Sequence, residues 1–274
     1  MKFAFSSNGF LRHSLKDTIR ILADIGYQGI EIMADVPHAY PTQLSAAGRT
    51  EIRAALREHR MEISNVNAFM HHADGDTYHP SWIEKDAGER KRRVEYTLNC
   101  IDLAQDLGAR TISTEPGGPL DGITREEGFQ FFREGLAAVE ERARKKRVRI
   151  LIEPEPGLLI ENSRQFLELY RLLDPEVFGL NFDIGHFFCV GEDPQALIPK
   201  MKGTIGHFHL EDIAASRIHH HLMPGEGAID LPAVLEAVRG IAFEGYVTVE
   251  LYTYVDNAVE AARDAFRYLR RVIS

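Results

Sequence analysis

The sequence predicts an α/β fold, a single (β/α)8 TIM barrel built from 274 residues, and three observations predict it. Short β-branched or apolar runs alternate with longer stretches of helical periodicity along the whole chain, and strict alternation joins parallel strands by helical crossovers. Eight strand-like runs are present, the number that closes a barrel. The first run leads into Ser6-Ser7-Asn8-Gly9-Phe10-Leu11-Arg12-His13-Ser14, which lacks the G-x-G-x-x-G loop that an open doubly wound sheet would favour there.

The expected strands are Lys2–Asn8, Gly29–Met33, Glu62–Val66, Thr111–Glu115, Arg149–Pro154, Gly179–Asp183, Thr204–Leu210 and Tyr246–Tyr252. Helical periodicity covers Leu15–Ile25, Thr50–His59, Arg90–Leu107, Glu126–Lys146, Ser163–Leu173, Leu231–Arg239 and Ala258–Val272, and Asp193–Lys202 has room for a short helix. Gly26, Gly108 and Gly240 follow periodic stretches, where a helix ends readily in a left-handed residue. Ser14 and Ser163 stand where a hydroxyl caps a helix start. No low-complexity tract or Pro/Gly/Ser linker divides the chain, so one catalytic domain over residues 1–274 is expected.

Composition narrows the function classes. Hydrophobic residues at 44% and charged residues at 27% fit an ordinary globular core. A formal net charge of −9 argues against sequence-independent nucleic-acid binding, which needs cations to neutralise phosphates. Cys100 and Cys189 make neither a disulfide framework nor a zinc motif, and read as reduced thiols of a cytoplasmic protein. No signal-peptide pattern and no bilayer-spanning apolar run is visible, so no membrane association is expected.

In a barrel the chemistry gathers at the C-terminal ends of the strands. The fifth to eighth strand runs end at Glu153, Asp183, His209 and Glu250. A carboxylate in an apolar strand is costly to bury unless it is paired or bound to metal. Four such residues on four successive strands share one explanation, convergence on a divalent cation. Three carboxylates and one imidazole suit Mn²⁺, the expected ion, or Co²⁺ or Mg²⁺, and Zn²⁺ is also compatible with such ligands.

These residues carry a resemblance. Glu153, Asp183 and His186 in Asp183-Ile184-Gly185-His186, His209 in His207-Phe208-His209-Leu210-Glu211-Asp212, and Glu250 in Val247-Thr248-Val249-Glu250 resemble the xylose-isomerase-like barrel superfamily. The resemblance spans essentially the whole chain and includes Pro224-Gly225-Glu226-Gly227 followed by Ile229-Asp230. It is nearest to the ketose 3-epimerases, such as tagatose and allulose 3-epimerases. Inosose dehydratases and isomerases, hydroxypyruvate isomerase and endonuclease IV share the scaffold.

The resemblance implies a metal-dependent epimerase or isomerase acting on a ketose through an enediolate. Glu153 and Glu250 would transfer the proton, one removing it and the other returning it to the opposite face. It implies that His186 contacts substrate oxygens, with an orienting role beside the metal as the alternative, and that Arg217 binds substrate from the loop after the seventh strand. It also suggests a homo-oligomer. The partner is then a small sugar or keto-cyclitol, with unphosphorylated substrates favoured because no dedicated phosphate site is visible.

Other residues are read from their positions. Glu153-Pro154-Glu155 puts two carboxylates on alternate positions that can face one side, so Glu155 is a candidate to hydrogen-bond substrate or orient Glu153. Glu115 ends the fourth strand and is a further substrate-binding candidate; His13 and Glu31, near the first two strands, are candidates to line the cleft and equally well read as ordinary polar groups of the barrel mouth. His71, His72 and the run His219-His220-His221 suggest either extra metal ligands or polar loops. Phe5, Phe10, Phe69, Trp82, Phe187 and Tyr252 lie in or near strand ends, where an apolar wall could meet a sugar's carbon face. Residues Ala73–Lys85 are long enough for a lid. The competing classes are a keto-cyclitol dehydratase, a nuclease of the endonuclease IV type, which the acidic charge disfavours, and a carbohydrate-binding barrel without activity.

Overall fold

The computed structural model describes residues 1–69, 73 and 76–273. His71 and His72 therefore lie outside the described residues. Eight parallel strands, β1 (Lys2–Ser6), β2 (Gly29–Met33), β3 (Glu62–Asn67), β4 (Thr111–Thr114), β5 (Arg149–Ile152), β6 (Phe178–Asp183), β7 (Ile205–Leu210) and β8 (Tyr246–Val249), follow one another in chain order. They close into a barrel through the β1–β8 pairing. Around them stand α1 (Leu15–Ile25), α2 (Ala46–His59), α3 (Ala87–Leu107), α4 (Arg125–Lys146), α5 (Ser163–Tyr170), α6 (Ile184–Cys189), α7 (Pro194–Met201), α8 (Leu231–Gly240) and α9 (Ala258–Ile273).

Side chains alternate across each strand, and the two faces differ in chemistry. Ile30, Ile32, Ile112, Ile150, Ile152, Leu180, Phe182, Phe208, Val247 and Val249 are buried in the layer between sheet and helices. The opposite alternates are polar. Asn65 donates to Glu31 and to Ser113 Oγ, both at 2.9 Å. His207 bridges Asn181 at 2.8 Å and Thr248 at 2.7 Å. Burial lowers the His207 pKa to about 3 and so keeps the ring neutral. A barrel interior of hydrogen-bonded Asn, His, Glu and Thr satisfies these groups internally and feeds directly into the cluster at its C-terminal mouth.

Several boundaries differ from those predicted. β1, β4, β5 and β8 stop before Asn8, Glu115, Glu153 and Glu250, and of these side chains Asn8, Glu153 and Glu250 line the cavity at the barrel's mouth. α2 and α3 start earlier than expected, capped by Ser45 and Asp86, whose side chains accept from Gly48 N and Glu89 N. Ser14 caps α1 as expected, whereas α5 is capped by Asn162 and Ser163 is its first residue. Gly26 and Gly108 are left-handed C-caps with φ of 117° and 89°. Gly240 is instead the last residue of α8, and the positive φ falls on Ala242. α5 ends at Tyr170, three residues early, where Leu172 and Leu173 enter turns. No helix among the described residues is long and apolar enough to cross a membrane.

Candidate active site

Ligand atoms of Glu153, Asp183, His209 and Glu250, all buried, lie within 4.8 Å of one another at the C-terminal mouth of the barrel. Asp183 and His209 are register partners across β6 and β7. Glu250 is held in line by its backbone N–H to Leu210 O at 3.1 Å, and Glu153 by its own to Thr114 O at 3.1 Å. Four neighbouring strands therefore present their terminal side chains to one point.

His209 stands at the centre. Its Nδ1 lies 2.8 Å from Glu153 Oε1, 3.5 Å from Glu250 Oε2 and 3.7 Å from Asp183 Oδ2. Its Nε2 meets Glu31 Oε2 at 2.9 Å. Burial opposes a charge on this imidazole, yet the carboxylates of Glu153, Glu250 and Glu31 hold its pKa well above the ordinary value. Each flanking carboxylate has its own orienting donors. Glu153 Oε2 accepts from Asn181 Nδ2 at 2.7 Å. Glu250 Oε1 accepts from Asn8 Nδ2 at 2.8 Å and Asn67 Nδ2 at 3.4 Å. Asp183 Oδ1 caps α6 by accepting from His186 N at 2.6 Å, while its Oδ2 is buried with no hydrogen-bond partner among the described residues.

That orphaned oxygen, with three carboxylates facing one imidazole nitrogen, fits a divalent cation. Anionic oxygens packed this closely repel one another unless a cation lies between them, and the donor set suits Mn²⁺, Co²⁺, Mg²⁺ or Zn²⁺. His209 would then offer Nδ1 to the ion and Nε2–H to Glu31, a carboxylate–histidine arrangement that fixes a ligand's tautomer.

The cluster opens into a cavity of about 310 Å³ lined by Asn8, Asn67, Phe69, Thr77, Tyr78, Glu153, Glu155, His186, His219, Glu250 and Tyr252. Glu153 and Glu155 line it together, as the alternation of their positions suggested. Glu155 Oε1 accepts from Tyr78 OH at 3.1 Å, and burial with the nearby Glu153 pushes its pKa well above the usual carboxylate range. Tyr78 and Thr77 bring the segment after β3 over the cavity. Trp82 does not reach it; the ring is buried against Phe132, with its indole N–H given to Thr114 Oγ1 at 3.0 Å. Of the aromatic residues singled out, Phe69 and Tyr252 line the cavity, while Phe5, Phe10 and Phe187 belong to the core.

Two expected substrate contacts are not brought there. Arg217 is exposed, with φ of 59°, and its guanidinium lies 4.0 Å over the Phe188 ring and donates to Phe188 O. The loop after β7 turns it toward a separate hollow of about 180 Å³ beside Glu192 and Asp193. Glu115 is fully buried below the Trp82 segment, 3.6 Å from Arg93 Nε. Burial raises its pKa to about 7 against the pull of Arg93. His13 stacks edge-on against Phe10 rather than lining the cavity.

The sequence reading missed the donors Asn8, Asn67 and Asn181 and the role of Glu31. Glu62-Ile63-Ser64-Asn65-Val66-Asn67 does alternate polar and apolar residues, which was the available signal for polar side chains facing the barrel interior.

Gly185 marks how tightly the site is built. Glu211 Oε1 accepts from Gly185 N at 2.5 Å, and a Cβ at this position would lie 2.2 Å from that oxygen and 2.9 Å from Ile213 Cγ1. Glu211 and Ile213 are both fully buried. Gly185→Ala is therefore expected to destabilise the fold by about 1–3 kcal/mol, seen as a lower thermal midpoint. A midpoint equal to the parent's would show that α6 can shift freely away from Glu211.

The chain belongs to the xylose isomerase-like TIM barrel family, whose model matches residues 19–272. It is 25% identical to a fructoselysine 3-epimerase of Shigella flexneri over 280 aligned positions, covering 100% of this chain and 98% of that protein. It is 26% identical to an inosose dehydratase of Geobacillus thermodenitrificans, covering 62% of this chain and 67% of that one. Among solved structures it is similar in fold to a protein called IOLI determined with a zinc atom, with a TM-score of 0.83 and 22% identity over 100% of this chain and 98% of that chain.

Proposed function

We propose that the protein is a divalent-metal-dependent sugar epimerase or isomerase that moves a proton at the carbon beside a ketose carbonyl. The observation that carries this reading is the convergence of Glu153, Asp183, His209 and Glu250 on one point at the floor of a sugar-sized cavity. The full-length likeness to a fructoselysine 3-epimerase supports it. A cation held by these four side chains would polarise the carbonyl and its neighbouring hydroxyl and stabilise enediolate charge.

The chain's own residues do the rest. Glu153 and Glu250 enter the cavity from β5 and β8, on either side of the β6–β7 pair. One takes the carbon-bound proton and the other returns a proton to the opposite face. Asn181, Asn8 and Asn67 hold the two carboxylates in place, each bonding one oxygen and leaving the partner oxygen turned to the cluster. Glu155 and Tyr252 line the wall where substrate hydroxyls would sit. No lysine or arginine is among the described residues lining the cavity, which favours an uncharged or cationic sugar over a phosphorylated one.

The test is proton exchange. Protein stripped by chelation and reloaded with Mn²⁺ is incubated in D₂O with free ketoses and keto-cyclitols, and the products are read by NMR. Deuterium beside the carbonyl, together with a new epimer or aldose, is the expected result. Loss of water from the exchanged substrate would instead assign a keto-cyclitol dehydratase, the second reading, which the likeness to an inosose dehydratase supports. No exchange with any substrate in either group would contradict both.

Glu31→Gln tests the support of His209. The amide cannot serve as the anionic acceptor for Nε2–H, and metal affinity is expected to fall by about 10–100-fold. Competition against a metal-binding dye measures this. Unchanged affinity would show that Glu31 is an interior polar residue with no part in holding the ion.

A further inference from the structure

His207 stands two residues before His209 on β7, yet it neither lines the cavity nor is one of the four converging side chains. It is 1% exposed, inside the barrel, where both ring nitrogens need partners within the protein. They have them. Nδ1 is 2.8 Å from Asn181 Oδ1 and Nε2 is 2.7 Å from Thr248 Oγ1. Asn181 and His207 are register partners across β6 and β7, just past the shift in register between Leu180 and Asn181. Thr248 Oγ1 in turn lies 3.1 Å from Ser64 Oγ on β3. Ser64 lines an open hollow of about 860 Å³ at the N-terminal end of the barrel. A chain of hydrogen bonds thus crosses the barrel from its base to Asn181, and Asn181 Nδ2 meets Glu153 Oε2 at 2.7 Å.

We propose that His207 is a positioning residue for proton transfer, fixing the Asn181 amide and, through it, the Oε2 oxygen of Glu153. The inference rests on the proton-transfer role proposed for Glu153. The direction of each bond follows from the groups themselves. A carboxylate oxygen accepts, so the amide nitrogen of Asn181 faces Glu153 and its Oδ1 faces His207. An amide oxygen has no proton to give, so His207 Nδ1 carries the hydrogen. Nε2 is left to the Thr248 hydroxyl, which donates or accepts and satisfies the ring in either case. Glu31 Oε2 does not compete for Nδ1, since it is 3.9 Å away and beyond hydrogen-bond reach.

Glu153 needs this hold because its two oxygens have different partners. Oε1 is 2.8 Å from His209 Nδ1, while Oε2 is given to Asn181. The terminal torsion of a glutamate is soft, so little in the side chain itself keeps the two oxygens apart. The Asn181 N–H supplies what is missing, and Oε2 keeps a further lone pair for a substrate proton. The amide has its own two-fold ambiguity. Turned by 180°, it would set Oδ1 against the carboxylate and its NH₂ against the His207 N–H. His207 therefore excludes the wrong orientation with a donor facing a donor. In the right one, Asn181 Nδ2 also lies 3.3 Å from His209 Nδ1, so a single amide is set against two members of the cluster.

The tautomer is the first readout, in the intact protein. Protein labelled with ¹⁵N at histidine is expected to show a proton bonded to His207 Nδ1, in an NMR resonance that His207→Asn removes and Asn181→Leu shifts. A His207 ring with a bare Nδ1 overturns the proposal, and this readout needs neither metal nor turnover. Kinetics on a substrate found by proton exchange then separates positioning from folding. His207→Leu has no donor and is expected to lower kcat by about 10–100-fold, the usual effect of losing an outer partner, with KM unchanged. His207→Asn places an amide nitrogen where Nδ1 stood and is expected to recover most of that loss. His207→Gln reaches toward Thr248 instead and leaves Asn181 Oδ1 without a donor, so it carries the test if circular dichroism shows His207→Leu unfolded. Parent-like kcat in folded His207→Leu or His207→Gln, or a loss that His207→Asn shares in full, overturns the proposal. A parent with the Nδ1–H ring, an Asn181-dependent resonance and no turnover keeps the hold on Glu153 and contradicts the epimerase reading alone.

Discussion

Glu250→Gln is expected to lower turnover by about 10²–10⁴-fold, the range that a positioned proton-transfer group supplies, while the barrel stays folded. The substitution preserves shape. A glutamine carbonyl in the Oε1 position still accepts from Asn8 and Asn67. What disappears is the anionic Oε2, 3.5 Å from His209 Nδ1, which belongs both to the ion site and to the proton path. Burial and the neighbouring Glu153 carboxylate push the Glu250 pKa up against the pull of His209. Glu153→Gln should be about as severe, since two-face transfer needs both groups. Steady-state kinetics on the substrate found by proton exchange measures the loss, with circular dichroism as the folding control. Near-normal turnover in either variant would remove the paired-base assignment.

Asp183→Asn is expected to act on the metal first. The asparagine can keep its Oδ1 as cap of α6, a position where Asn serves as well as Asp. It loses the anionic Oδ2, which has no hydrogen-bond partner among the described residues. Removing a ligand should exceed the about 10–100-fold loss of affinity typical of an outer partner, and His209→Ala should match it. Thermal melting reports the same event. An ion at 1,000 times its dissociation constant stabilises a fold by about 4 kcal/mol. The shift on adding MnCl₂ should therefore be large in the parent and small in Asp183→Asn. Affinity unchanged in both variants would dismiss the four-ligand assignment.

The barrel was legible because its signals are local. Strand and helix periods alternate without interruption, and the carboxylates at the ends of the fifth, sixth and eighth runs break apolar patterns where nothing in the strand could pair them. Expectation and placement part where only tertiary structure decides. Arg217 stands at a plausible offset from His209, but the left-handed backbone at that residue and the Phe188 ring draw it to the outer wall. Glu115 ends a strand as Glu153 does, yet the segment carrying Trp82 covers it and Arg93 reaches it from α3. Asn8, Asn67 and Asn181 left no mark in the sequence comparable with a carboxylate's, because an amide in a strand is less costly to bury and its partner lies on another strand. The three-histidine run was visible, and what it could not reveal is that α6 brings His186 to meet it.

On the proposed function, Glu153, Asp183, His209 and Glu250 bind one ion at the mouth of the barrel. Anomalous diffraction from crystals grown with MnCl₂ tests it most directly. One strong anomalous peak is expected among the four side chains, bonded to carboxylate oxygens of Glu153, Asp183 and Glu250 and to His209 Nδ1. Crystals saturated with MnCl₂ that show no anomalous peak there, or a peak bound by other residues alone, would contradict it.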